Sequence, residues 1–292
     1  MGRLVDKFFY LNAWSVGWRH INDTSHVPIK EITKYHTISV NDYMYYADPF
    51  IIENSDGVYL FVESMNRYRG KGTISVAKLE DDKFSNFEEV LLEPFHLSYP
   101  NVFQYDGCFF MIPETSEIGQ IRLYKAIQFP QKWELDCILL NDGNRWVDSS
   151  LQNTQRGLLL CSFYEKDGNK TINRFELDMG KRKLLETDIE GLYVGRPAGN
   201  SFISNGIEYR PIQNDRDYYG KSTLLFYLNN QGKEIFAGEI SPQNFLLSPR
   251  ISNLTGTHTI NRSEHFEVVD FKYNRFCKTK LWIRLISFFD RW

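Results

Sequence analysis

The stretch Ala47-Asp48-Pro49-Phe50-Ile51-Ile52 runs through the turn Asn54-Ser55-Asp56-Gly57 into Val58-Tyr59-Leu60-Phe61-Val62-Glu63, a strand, a tight turn and a second strand. The layout recurs. Ser98-Tyr99-Pro100-Asn101-Val102-Phe103 turns at Asp106-Gly107 into 108–114, which ends on Glu114. Val147-Asp148-Ser149-Ser150-Leu151 turns near Arg156-Gly157, and Arg196-Pro197-Ala198-Gly199-Asn200 turns at Asn205-Gly206. A weaker fifth copy is Thr255-Gly256-Thr257-His258-Thr259-Ile260, followed by Phe266-Glu267-Val268-Val269-Asp270. The anchors Asp48, Tyr99, Asp148, Arg196 and His258 are 51, 49, 48 and 62 residues apart, the period of propeller blades. With 15% aromatic residues among short apolar runs, the reading is all-β: a five-bladed β-propeller over residues 1–275 as one domain. Stretches such as 73–77 and 121–124 supply outer strands. Lys278 to Trp292 spaces Leu281, Trp282, Leu285, Ile286, Phe288, Phe289 and Trp292 at three and four residues, which predicts a short amphipathic helix over 276–292.

Composition limits the function. Thirty-four Lys and Arg against 37 Asp and Glu give a net charge of -3, so no global basic field recruits nucleic acid. The four cysteines form no C-x-x-C pair, which leaves no zinc ribbon or thioredoxin motif and reads as reduced core thiols. The phosphate-loop, nucleophile-elbow and zincin motifs are absent, and Arg69-Gly70-Lys71-Gly72 reads as a hairpin turn. Met1 to Asn12 carries no leader pattern, so the expected location is cytoplasmic. For the basic, aromatic tail 278–292, two readings stand: packing on the propeller wall, or peripheral contact with an anionic membrane.

Strands that begin each repeat line the axis of a propeller, so the five anchors should ring one mouth. Asp48, Glu114 and Asp148 are the candidate catalytic groups, because paired carboxylates can activate a hydroxyl and assist a leaving group at a glycosidic bond. Tyr99, Arg196, Tyr209, Arg210, His258, Glu63 and His96 are the candidate substrate contacts. Further aromatic candidates for sugar faces are Tyr43, Tyr45, Tyr46, Trp146, Tyr218 and Tyr219. No His spacing suggests a metal site.

Ala-Asp-Pro-Phe at 47–50, Val-Asp-Ser-Ser at 147–150 and Thr-Gly-Thr-His at 255–258 resemble the axial motifs of glycoside hydrolase family 43, which are five-bladed propellers. The resemblance implies Asp48 as general base, Asp148 as the carboxylate that orients the acid and tunes its pKa, and His258 as the axial histidine near a central ion. Where that family carries a Glu-Gly-Pro acid in the fourth blade, this chain reads Gly195-Arg196-Pro197. A longer series resembles the N-terminal propeller domain of the glucosamine inositolphosphorylceramide transferases: Ala-Asp-Pro-Phe, 93–103, 111–115, Gly-Arg-Pro-Ala-Gly-Asn at 195–200 and Tyr-Arg-Pro-Ile-Gln at 209–213. That family's nucleotide-sugar transferase domain has no counterpart among these residues.

Three functions remain open on the sequence. Glycosyl transfer from a nucleotide-sugar donor, in the synthesis of a lipid-linked or surface glycan, is favoured, with Arg196 and Arg210 meeting a diphosphate. Hydrolysis of an arabinofuranosidase or xylosidase type needs a relocated acid, for which Glu114 is placed. A non-catalytic sugar-binding propeller is the third. The expected ligand is a sugar or nucleotide sugar, with an axial ion as the sole further expectation.

Overall fold

The computed structural model describes residues 10–22, 25–41, 43–154, 157–166, 169–187, 195–229, 233–247, 251 and 253–277. Five antiparallel sheets follow one another along the chain, one per repeat, and they are the five blades. Blade one contains Met44–Asn54, Gly57–Asn66 and Lys71–Glu80, with Lys83–Phe84 and Glu88–Leu91 on its outer edge. Blade two contains Ser98–Tyr105, Cys108–Glu114, Gln120–Gln128 and Lys132–Asn141. Blade three contains Val147–Thr154, Gly157–Lys166, Asn169–Asp178 and Lys183–Glu186, and blade four Phe202–Ser204, Ile207–Asn214, Ser222–Leu228 and Glu234–Ile240. The innermost strand of each copy and its partner are the two that the repeat carries.

Blade five closes the ring with the far end of the chain. Its inner pieces Leu254–Gly256 and Ile260–Arg262 pair with Phe266–Phe276, which in turn pairs along its whole length with the N-terminal strand Tyr10–His20, from Tyr10 opposite Phe276 to His20 opposite Phe266. The first strand thus lies third from the axis in the last blade. Locking the first and last described strands in one sheet closes the ring of blades against splaying. Phe276 ends this strand, and the remainder of the stretch read as a helix, from 278 onward, lies outside the described residues.

Between blades, apolar faces stack. Phe50, Phe61 and Ile74 of blade one pack with Val102, Met111 and Tyr124 of blade two; Phe110 and Leu123 of blade two pack with Leu151 and Leu160 of blade three. Nearer the axis the joints are polar. Asn101 and Asn200 exchange side-chain hydrogen bonds at 2.8 and 2.9 Å, the Asn200 carbonyl oxygen also accepts the Leu151 N–H, and Asn261 receives the Asn200 N–H while donating to the Pro49 carbonyl. One belt of three amides therefore ties all five blades together. Buried donors stranded by its loss carry the full desolvation penalty. Asn200→Ala is expected to cost about 2–3 kcal/mol, read by thermal denaturation as a fall of about 4–10 °C in Tm; an unchanged Tm would show that water replaces the amide.

Candidate active site

At blades one and three the inner strand carries a bulge, with register shifts between Ala47 and Phe50 and between Val147 and Ser150. Asp48 and Asp148 occupy these bulges with φ of 51° and 48°, and Tyr99 has φ 46° at the same place in blade two. A bulge re-aims the side chain that a regular pleat would send into the sheet. Asp tolerates this left-handed backbone more readily than most residues, whereas a bulky Tyr is strained there. Shared backbone geometry explains the equal spacing of the repeat, but not a shared role. Asp48 and Asp148 turn into the axis. Tyr99 does not join them at the mouth: it is fully buried, edge-on to Phe50 at 5.0 Å. Its hydroxyl donates to Ser150 Oγ at 2.6 Å and accepts the Gly199 N–H at 2.5 Å, while Ser150 donates to the Gly199 carbonyl. This expected substrate contact is a joint between blades two, three and four.

Asp48, buried, accepts the Thr259 hydroxyl at 3.0 Å on Oδ1 and the Tyr99 N–H at 3.2 Å on Oδ2. Burial raises its pKa to about 6, with the nearby His258 opposing and Asp148 adding to the rise. His258 stacks on Trp14 with ring centroids 4.1 Å apart, hands Nδ1 to Asp270 and sets Nε2 3.6 Å from Asp48 Oδ1. Burial works against its charge, but Asp270 and then Asp48 outweigh burial and lift its pKa to about 9. Asp270 is itself held by the backbone N–H groups of His258, Thr259 and Asp48. Asp48, His258 and Asp270 lie close enough to offer a cation three ligand atoms. The carboxylates that face both imidazole nitrogens favour the charged ring, so the axial ion implied by resemblance would compete with the ring's protons for these ligand atoms.

Across the axis, Arg196 from blade four donates from Nε to Asp148, and its Nη2 lies 3.5 Å from Glu114 Oε2. Gln213 Nε2 also donates to Asp148, at 2.8 Å. Burial raises Asp148 to about 6 despite the opposing pull of Arg196. Glu114 Oε1 accepts the Ser116 hydroxyl at 2.7 Å. Glu63, buried, sits beside His96, whose Nε2 is 3.6 Å from Glu63 Oε1. Burial first, and then the charges of Asp48 and Glu114, push its pKa well above the carboxylate range. Tyr219 stands over Arg196, with the guanidinium carbon 5.4 Å from the ring centre, and meets His258 edge-on at 5.2 Å. Tyr45 borders the same carboxylates beneath Arg67.

Asp48, Glu63, Glu114, Asp148, Arg196 and His258 thus converge at the axis, and His96 lies beside Glu63. Tyr209 and Arg210 do not converge there. Tyr209 packs on Phe202 and Tyr227 inside blade four, and the buried Arg210 lies 3.4 Å from Glu234 and close enough to the Cys161 thiol of blade three to act on it. Position along the strand Ile207–Asn214 is the reason: Gln213, three residues beyond Arg210 and four beyond Tyr209, is the member that reaches Asp148. Reasoning from the repeat missed Gln213, Asp270 and Trp14. Asp270 had a signal in the sequence, because it follows the run 266–269 of its copy much as Glu63 follows 58–62 and Glu114 follows 108–113.

A five-bladed all-β propeller whose axis gathers carboxylates from several blades defines the class of protein. The chain belongs to the family described as "Glucosamine inositolphosphorylceramide transferase 1, N-terminal", whose model matches residues 22–277. It is 30% identical over 248 residues to glucosamine inositolphosphorylceramide transferase 1 of Arabidopsis thaliana, covering 79% of this chain and 31% of that protein. It is 31% identical over 200 residues to the protein of the same name in Oryza sativa subsp. indica, covering 64% and 27%. The chain therefore spans less than a third of these relatives. Among solved structures, a glycoside hydrolase superposes with a TM-score of 0.55 over 94% of each chain at 7% identity. The GH43_1 enzyme from Xanthomonas citri, solved with xylotriose, superposes with a TM-score of 0.52 at 11% identity, over 81% of this chain and 88% of its own. These two share the fold.

Proposed function

We propose that the propeller mouth binds an uncharged, hydroxyl-rich sugar and performs acid–base chemistry at a glycosidic bond, passing the glycosyl unit to a hydroxyl of water or of a second sugar. The observation that carries this reading is the charge balance at the axis: among the described residues the carboxyl groups of Asp48, Glu63, Glu114, Asp148 and Asp270 outnumber the cations that pair with them there, Arg196 and His258. Arg196 is already engaged by Asp148 and Glu114, so a diphosphate there would meet two negative groups. This argues against the nucleotide-sugar donor that the sequence favoured at this position, and for a neutral glycoside.

The roles divide by environment. Asp48, with a pKa near 6, is ionised at neutral pH and takes the proton of the attacking hydroxyl. Glu63 keeps its proton to higher pH and gives it to the departing glycosidic oxygen, the part the fourth-blade acid plays in the enzymes the axial motifs resemble. Asp148 is held by Arg196 and Gln213 and steadies the charge across the axis. The tyrosine rings of Tyr45 and Tyr219 border the place where a sugar would lie.

The test is a panel of neutral aryl glycosides and oligosaccharides, xylotriose among them, set against nucleotide sugars, with thermal shift and turnover as readouts. Stabilisation and turnover by glycosides are expected, with activity lost below about pH 6 as Asp48 takes up a proton and lost again at higher pH as Glu63 gives its own away. Stabilisation by nucleotide sugars alone would overturn the proposal, and binding of oligosaccharides without turnover would reduce the site to recognition.

A further inference from the structure

The hairpin Arg69-Gly70-Lys71-Gly72 has a use beyond its turn. Gly70, with φ 63°, closes the hairpin, and Gly72, the second residue of the return strand, lies at a spot with no room for a side chain. A Cβ there would overlap the Leu97 carbonyl oxygen and lie 2.7 Å from His96 Cε1 and 2.9 Å from Glu63 Oε1. The glycine is what allows His96 and Glu63 to meet. Its N–H then donates to His96 Nδ1 at 3.0 Å. A ring nitrogen that accepts a hydrogen bond carries no proton, so the proton of the neutral ring is on Nε2. That nitrogen faces Glu63 Oε1 at 3.6 Å, and the imidazole is partly open to solvent, with 30% of its side chain exposed.

We propose that His96 is the positioning residue for Glu63: a neutral imidazole, locked as its Nε2–H tautomer by the Gly72 N–H, that points its donor at Oε1 and so leaves the carboxyl's own proton on Oε2. The proposal rests on the reading of Glu63 as the proton donor. Protonating Nδ1 would set two N–H groups against each other across 3.0 Å, so the geometry itself opposes the imidazolium. A neutral His96 gives Glu63 no positive charge to ionise against, while Asp48 and Glu114 oppose ionisation as like charges. The other groups that act on His96 are Glu117, which accepts its backbone N–H at 2.7 Å, Asp48, and Lys71; burial is the largest influence and lowers its pKa.

In the reaction Glu63 breaks its O–H bond and passes that proton to the departing glycosidic oxygen, which leaves as a hydroxyl. The resulting carboxylate still has Oε1 facing the His96 Nε2–H. His96 retains its proton throughout, because giving it up would leave both ring nitrogens bare. The imidazole therefore acts through Glu63 and never on the sugar.

The experiment is nitrogen-15 NMR of the histidine-labelled full chain together with carbon-13 NMR of the Glu63 carboxyl, between pH 5 and 8, in the parent, His96→Leu and His96→Gln. At pH 7 His96 is expected to be neutral with its proton on Nε2, and Glu63 to titrate above the ordinary carboxylate range. Where a glycoside is turned over, His96→Leu is expected to lower kcat about tenfold with KM unchanged, and His96→Gln, which keeps a donor, to recover most of that loss. An Nδ1–H tautomer, an imidazolium at pH 7, or a leucine variant with parental kcat would overturn the proposal. The NMR needs no substrate, so the His96 arrangement stands or falls even if every glycoside fails, in which case the acid–base function falls instead.

Discussion

Asp48→Asn is expected to lower turnover by about 10²- to 10⁴-fold, the usual contribution of a positioned base, while leaving the propeller folded. Asparagine accepts the left-handed backbone at this bulge, where φ is 51°. Its single side-chain oxygen can keep the Thr259 hydroxyl or the Tyr99 N–H but not both, a loss of about 1 kcal/mol. Against this, the variant removes a charge whose burial is unfavourable. The sign follows from linkage: the folded pKa of Asp48, about 6, is raised above its ordinary value of 3.8, so its protonation contributes stability below about pH 4 that is lost as pH rises through 6. The asparagine has no such dependence. Relative to the parent, the variant should therefore gain on the order of 2–3 kcal/mol between pH 4 and pH 7, measured by urea unfolding at the two values. A variant that melts far below the parent at both, and whose folded fraction turns over normally, would make Asp48 a structural residue.

The repeat was legible because two different physical demands fall on the same positions. Each blade needs a tight turn between its first two strands, which places Asp-Gly, Arg-Gly or Asn-Gly at a fixed distance, and each inner strand must re-aim a residue at the axis just before it. Asp48 and Asp148 announce both. Tyr99 satisfies the same backbone demand with a side chain that packs in the core, so the period locates the residue without saying where its side chain goes. Ring closure by Tyr10–His20 leaves no trace in the sequence, since its pairing with Phe266–Phe276 spans about 250 residues and lies outside any fifty-residue period. The motif 209–213 points Tyr209 and Arg210 to the mouth, but position along the strand decides which residue reaches the axis, and here it is Gln213. The charge balance was the least legible feature, because it depends on Asp270, Glu114 and Arg196 meeting from three different blades.

Arg196 offers the sharpest separation of the chemistries, and the ion pairs predict that its loss is felt first as instability. Arg196→Met keeps much of the side chain's volume but leaves the buried Asp148 without its cation and Glu114 without its neighbour. Breaking a buried pair in this way costs on the order of 3 kcal/mol. Asp148 titrates near 6 in the parent even with Arg196 holding it down, so without the guanidinium it binds its proton more tightly still. A raised folded pKa again means stability present at low pH and lost as pH rises. The variant should therefore approach the parent at pH 4, where Asp148 is neutral in both, and fall behind it as pH passes 6, with Asp148→Asn in the same chain recovering most of the gap. An anion site makes the opposite forecast, with stability unchanged at pH 7.5 and affinity for diphosphate lost. Arg196→Glu carries the argument one step further. In the enzymes that the axial motifs resemble, a glutamate at this place in the fourth blade is the acid, but here it would face Asp148 and Glu114 as a third carboxylate with no cation between them. The expected result is a chain that folds poorly at neutral pH and improves on acidification, not a new hydrolase. A well-folded Arg196→Glu protein that cleaves aryl glycosides faster than the parent would return the acid to blade four and remove that role from Glu63.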